Sequence, residues 1–257
     1  MKWNGSVVLI TGASRGIGRE IAVAAAKRGA RVGLMARSKS ELDEVLDACG
    51  GKGAVAVSDI AERAQVDGAI EALQRELGPA DILVNNAGIG AYGRVVDTDV
   101  ETIEKMMRVN YFGTVYATKA VLPGMIERGR GHIVMIASIA GRIGAPLEAG
   151  YSASKFAMVG FSEALTFEIK RKGIGLSIID PGPVETHFTE ARGVPFAENT
   201  PKPVKAEDVA SLVMRAVERN KMEKFIPSWL GPAFTFKVLV PPAYRVGTMK
   251  TFGDLLK

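Results

Sequence analysis

Short apolar runs alternate with helix-patterned stretches along the whole chain, and this alternation constrains the fold more than any other feature. The runs lie at residues 6–10, 31–36, 54–57, 82–84, 133–137, 176–179 and 224–226, with helical spacing over 17–28, 41–48, 62–77, 100–122, 151–172 and 206–219. Strands covered on both faces read as unbroken apolar runs, and the intervening helices are their crossovers. Right-handed crossovers then give an α/β fold, a Rossmann-type doubly wound parallel sheet of about seven strands with helices on both faces. No Pro-, Gly- or Ser-rich linker and no internal repeat divides the 257 residues. A single domain over 1–257 is expected, with a core at 5–226 and an apolar, basic extension at 227–257. Ligands of such sheets bind beyond the carboxyl ends of the strands, so the residues following each strand are the ones to read.

After the first run comes Thr11-Gly12-Ala13-Ser14-Arg15-Gly16-Ile17-Gly18, opening a helix. Glycines admit close backbone approach, and a helix N-terminus offers unpaired N–H groups and a positive dipole end, so this turn suits a pyrophosphate. After the second run, an acidic residue would bind an adenosine ribose 2′-hydroxyl. Here Ala36-Arg37-Ser38 stands instead, and the next carboxylate is Glu41. Arg37, with Arg15 from the turn, can clamp a 2′-phosphate. The expected cofactor is NADP(H).

Tyr151-Ser152-Ala153-Ser154-Lys155 begins a long helix, which puts Tyr151 and Lys155 on one face. A phenol titrates near ~10, and a neighbouring ammonium lowers that by favouring the phenolate. Such a phenol serves as a general acid or base. Ser138 follows the fifth run, where its hydroxyl can hydrogen-bond a reacting carbonyl oxygen. Asn110 lies inside a helical stretch although asparagine is a mediocre helix former.

Taken together, these motifs resemble the classical short-chain dehydrogenases/reductases, in the flavour of the steroid- and lipid-ketone reductases. The turn has the family's T-G-x-x-x-G-x-G spacing, and Asn110, Ser138, Tyr151 and Lys155 match its catalytic tetrad. Asn85-Asn86-Ala87-Gly88 is similar to the family's element beside the adenosine ribose, and Asp59-Ile60 to the pair flanking the adenine. Pro181-Gly182, with Val184 and Thr186, resembles the element that contacts the nicotinamide carboxamide. The likeness spans about residues 5–226. It implies an NADP(H)-dependent enzyme acting on CH–OH groups. Tyr151 would be the acid/base and Ser138 the carbonyl hydrogen-bond donor. Lys155 would hold the nicotinamide ribose and lower the Tyr151 pKa, and Asn110 would position a water behind Lys155.

Substrate contacts are expected from 89–94, 139–148 and 185–203, the last a candidate lid. The tail departs from the compact acyl-carrier-protein ketoreductases of the family: Trp229, Phe234, Phe236, Tyr244 and Phe252 alternate with Lys237, Arg245 and Lys250. It can pack on the body or a neighbouring subunit, cap a wide apolar pocket, or rest on a membrane surface. The substrate is expected to be a small, hydrophobic carbonyl or alcohol. Two alternatives are a 3-oxoacyl-(acyl carrier protein) reductase and a non-catalytic NADP-sensing or scaffolding protein.

The formal net charge of +5 is dispersed along the chain, which argues against a nucleic-acid groove. The single cysteine, Cys49, cannot form an internal disulfide, and His132 and His187 show no metal-ligand spacing. No metal, a cytoplasmic address and a homo-oligomer, dimer or tetramer, complete the expectations.

Overall fold

The computed structural model describes residues 1–188 and 202–253. The elements run β1 (Val7–Thr11), α1 (Gly16–Lys27), β2 (Arg31–Ala36), α2 (Lys39–Ala48), β3 (Gly53–Val57), α3 (Arg63–Leu77), β4 (Ile82–Asn85), α4 (Val100–Met106), α5 (Gly113–Glu127), β5 (Gly131–Ile136), α6 (Ala149–Ile169), β6 (Ile174–Pro181), β7 (Val184–Glu185), β8 (Val204–Lys205), α7 (Ala206–Glu218), β9 (Glu223–Ile226), α8 (Leu230–Leu239) and α9 (Pro241–Phe252). Seven strands form one sheet in the order β3-β2-β1-β4-β5-β6-β9. All its pairings are parallel.

The side-chain period of two assigns each strand to both layers. In β1, Val8 and Ile10 pack with Ile21 of α1 and Val209, Val213 and Val217 of α7. Val7 and Leu9 face the other way, onto Ile70 and Leu73 of α3 and Val121 and Met125 of α5. Each such fully buried aliphatic side chain contributes roughly 1.5–3 kcal/mol of transfer free energy. β1 pairs with β2 on one side and β4 on the other. The order reverses there, so a crevice opens beyond the carboxyl ends of β1 and β4.

Two regions differ from the sequence expectation. The helix expected over 100–122 runs on through Glu127 and contains a π-helical turn, Met107–Phe112. Pro123 costs the helix a hydrogen bond, but Val121 and Met125 keep its buried face continuous past it. The tail forms two helices, α8 and α9, joined at Val240–Pro241. Residues 189–201 of the candidate lid lie outside the described residues. The segment's ends are paired by β7 and β8, which form a small parallel sheet of their own.

Cys49 and His132 sit where packing explains them. Cys49 follows α2 and is buried, which pushes its thiol up to about 11. His132 is buried in β5, its Nε2 2.9 Å from Ser177 Oγ, and burial pushes the ring down to about 4.

Candidate active site

One cavity of about 1350 Å³ lies over the carboxyl ends of the strands. Its first end is the glycine turn. Gly12 has φ +62°, and a Cβ there would come within 2.8 Å of Ala87 Cα. A Cβ on Gly18 would overlap the Gly12 carbonyl oxygen and reach within 2.6 Å of Asn86 Nδ2. Asn86 Nδ2 donates to the carbonyls of Thr11 (3.0 Å) and Gly12 (2.9 Å). Thr11 Oγ1 accepts from the N–H groups of Asn86 and Ala87 at 3.0 and 3.1 Å. These bonds stitch the end of β1 to the end of β4. Arg15 precedes α1 in extended conformation with no side-chain cap, so the first N–H groups of α1 are available to an anion.

Gly12, Ser14, Arg15, Gly16, Ile17, Arg37, Ser38, Asp59, Ile60, Asn86, Ala87 and Gly88 all line this end, and so does Glu41. The structure therefore fits the phosphates of a dinucleotide: backbone donors at a helix N-terminus, no side chain at Gly12, and two guanidinium groups nearby. Ser38 also caps α2, accepting from Glu41 N at 3.4 Å. Asp59 Oδ1 accepts from Ala61 N at 2.9 Å, which holds the turn after β3. Gly18 does not line the cavity; it is buried beneath it.

The second end gathers Ser138, Tyr151 and Lys155, with Pro181, Gly182, Val184 and Thr186 alongside. Ser138 caps the 3-10 turn Ile139–Gly141, its Oγ accepting from Ala140 N at 3.1 Å. That leaves the hydroxyl hydrogen to donate. Lys155 Nζ lies 5.9 Å from the centre of the Tyr151 ring. It is buried and donates to the Ile136 carbonyl at 2.9 Å. Burial lowers its pKa to about 8, opposed by the negative charge of Asp180. The Phe188 ring sits 5.5 Å from that of Tyr151.

Asn110 is fully buried in the π-helical turn and stands behind the cavity wall. Its Oδ1 accepts from Ile89 N (2.8 Å), and its Nδ2 donates to Ile89 O (2.9 Å) and Ser154 Oγ (2.8 Å). Both amide hydrogens are thus committed to protein atoms, and Asn110 anchors the loop after β4 to α6. π-helical turns inside α-helices recur at functional sites.

Sequence reasoning missed Arg142. It follows the Ser138 turn and is 5% exposed, yet it meets three carboxylates from three elements: Glu163 of α6, Asp180 of β6 at 3.2 Å and Glu223 of β9 at 2.5 Å. Its guanidinium lies 5.9 Å from the Phe234 ring of α8. Its carbonyl accepts from Lys237 Nζ, also on α8, at 2.7 Å. Burial pushes the Asp180 carboxyl up to about 7, against the pull of Arg142. No local signal announces this cluster, because its members lie far apart in the chain. Ser154 was also missed, although it sits inside the Tyr151–Lys155 motif.

The outer wall is apolar and comes from the tail: Trp229, Leu230, Ala233 and Phe234, then Tyr244, Thr248 and Phe252. Residues 89–92, several of 139–148, and Thr186 to Phe188 of the three expected substrate segments line the cavity as well. Among the described residues, no helix is long and apolar enough to cross a membrane.

A family model described as short chain dehydrogenase matches residues 6–194. The chain is 34% identical over 264 residues to mouse dehydrogenase/reductase SDR family member 7B, covering 93% of this chain and 82% of that one. It is 36% identical over 247 residues to mouse 17-beta-hydroxysteroid dehydrogenase 13, covering 91% and 80%. Among solved structures, a short chain dehydrogenase/reductase from Burkholderia phymatum in complex with NAD superposes with a TM-score of 0.82 at 26% identity, covering 90% and 92%. An actinorhodin polyketide ketoreductase with NADPH gives 0.80 at 32% identity, covering 88% and 97%.

Proposed function

The chain belongs to the short chain dehydrogenase family of oxidoreductases, and we propose that it is an NADP(H)-dependent enzyme that interconverts a hydrophobic ketone and its secondary alcohol. The observation that carries this reading is a shared cavity. Ser138, Tyr151 and Lys155 line one end, the glycine turn lines the other, and apolar tail residues wall the outside.

The nicotinamide supplies or takes the hydride when bound. Ser138 donates its hydroxyl hydrogen to the carbonyl oxygen, and Tyr151 protonates that oxygen as it becomes an alkoxide. Lys155, cationic below about pH 8, keeps positive charge beside the phenol and steadies the phenolate that proton transfer leaves. Asn110 keeps the Ile89 loop and α6 in register. In the oxidative direction the same groups act in reverse. The apolar wall from α8 and α9 supports a bulky hydrophobic substrate, in keeping with a steroid dehydrogenase among the relatives. Likeness to a polyketide ketoreductase makes polyketide ketones the second class.

NADP(H) preference rests on Arg37, which follows β2, and Arg15 of the glycine turn, both of which line the cavity. Glu41 also lines that end, and it is the residue to which an NADH preference would point.

The test is cofactor oxidation with NADPH and NADH against small diketones, acyl thioesters, and steroid and long-chain ketones. Tyr151→Phe should lower turnover roughly 10²–10⁴-fold while NADPH still binds. Arg37→Glu should raise KM for NADPH far more than for NADH. Turnover that survives Tyr151→Phe sinks the acid/base assignment; equal KM changes sink the cofactor preference.

A further inference from the structure

Helices α8 and α9 pack against each other and have two unlike sides. The inner side roofs the cavity, with Leu230 buried and Phe234, Tyr244, Thr248 and Phe252 on the lining. The outer side carries Phe236, Val238, Leu239 and Val240 at the connection between the helices, then Val246 and Met249 on α9, all exposed. Leu239 is 73% and Val246 69% exposed, so the described residues leave most of both side chains uncovered.

Within the two helices the charge has one sign, although Asp254 follows α9 in the sequence and Glu223 of β9 lines a groove with Phe236 and Leu239. Residues 227–253 contain Lys237, Arg245 and Lys250 and no aspartate or glutamate. Lys237 is turned inward, onto the Arg142 carbonyl and within 5.3 Å of the Phe156 ring. Arg245 and Lys250 are exposed. On α9 the pairs 245/249 and 246/250 are one turn apart, so two cations and two apolar side chains share a face. Tyr244 and Thr248 occupy the inward one.

We infer that the outer side of α8 and α9 docks on a lipid bilayer bearing anionic headgroups. Apolar side chains would enter the headgroup–acyl boundary while Arg245 and Lys250, beside them on the same face, meet phosphate. A second copy of the chain fits less well. A two-fold contact places the same patch on both partners and brings like cations together. A purely electrostatic acidic protein partner would leave the apolar tip at residues 236–240 in water. Docking here would set the cavity's apolar roof directly over the lipid, from which a hydrophobic substrate could enter. The docking claim itself does not depend on the reaction proposed above.

The test is vesicle flotation of the full chain, with phosphatidylcholine vesicles and with vesicles containing phosphatidylglycerol. The bound fraction should be higher with the anionic lipid and fall as salt rises. Leu239→Asp combined with Val246→Asp should cut binding at least roughly ten-fold. Its thermal unfolding should match that of the parent, which separates lost docking from lost folding. Arg245→Gln and Lys250→Gln should each cost roughly five-fold on anionic vesicles and little on neutral ones. Equal, weak flotation with both lipids overturns the inference. So does binding untouched by the double aspartate variant, or a dimer that this variant converts to monomer without any vesicle binding.

Discussion

The two ends of the cavity are held by different physics. At the glycine turn the fastenings are neutral: Thr11 and Asn86 tie β1 to β4 through backbone groups, and Gly12 and Gly18 let those backbones touch. At the end lined by Ser138, Tyr151 and Lys155 the fastening is ionic. Arg142 is buried among Asp180, Glu163 and Glu223, and it ties the Ser138 turn to α6, β6, β9 and α8. A neutral, backbone-anchored end resists changes of pH and salt but tolerates no added atom. A buried ionic end tolerates small shape changes but fails when one partner is removed or changes its charge.

The largest break in that comparison is expected from Arg142→Met. Removing one partner of a buried ion pair typically costs ~3–5 kcal/mol, and the urea midpoint should drop accordingly. The loss should be smaller in acid, where Asp180 is already protonated. A midpoint unchanged at neutral pH would mean that the cluster does not hold this end together.

Gly18→Ala comes next. The added methyl meets the Gly12 carbonyl and the Asn86 amide, and overpacking of this kind costs ~1–3 kcal/mol. The drop in urea midpoint should be the same at pH 5 and pH 8, because no titrating group is involved. Weaker NADPH binding should accompany it, read by fluorescence titration.

The smallest net effect in the parent protein is a pH signature, because two buried groups oppose each other. Asp180 keeps its proton in the native state up to about 7, while an unfolded aspartate loses it near 3.8. Across that window the native state binds more protons, so this group's contribution to stability falls as pH rises and levels off above 7. His132 acts oppositely: the unfolded ring takes a proton below 6.5 but the buried one only near 4, so its contribution rises with pH between those values. The parent protein should show a shallow profile from pH 4 to 7. Asp180→Asn should leave a net rise and His132→Gln a net fall, each of roughly 3 kcal/mol across its window. Parallel profiles for both variants would contradict the burial of these two groups.

Much of this was legible in the chain. The alternation of apolar runs with helical spacing is read from neighbours in sequence, and it yielded the parallel sheet and its seven main strands. The turn at 12–18 and the Tyr151–Lys155 pair were legible for the same reason, each being a local pattern on a known element. Asn110 was picked out as an odd residue in a helix. Its π-helical turn was not, because no local pattern marks it and the partners Asn110 meets there, Ile89 and Ser154, lie 21 and 44 positions away. Helix α5 passes Pro123 because the buried face outweighs one lost hydrogen bond.

The sequence by itself supplied the candidates proposed to hold a phosphate and move a proton, since those capacities reside in side-chain chemistry and short spacings. Only the tertiary structure decided what surrounds them. Arg142 finds partners 21, 38 and 81 positions away in the chain. The tail becomes the outer wall of the cavity on one side and an exposed apolar, cationic surface on the other. Burial and charge pairing depend on how distant segments pack, and no local pattern encodes which distant segment will arrive.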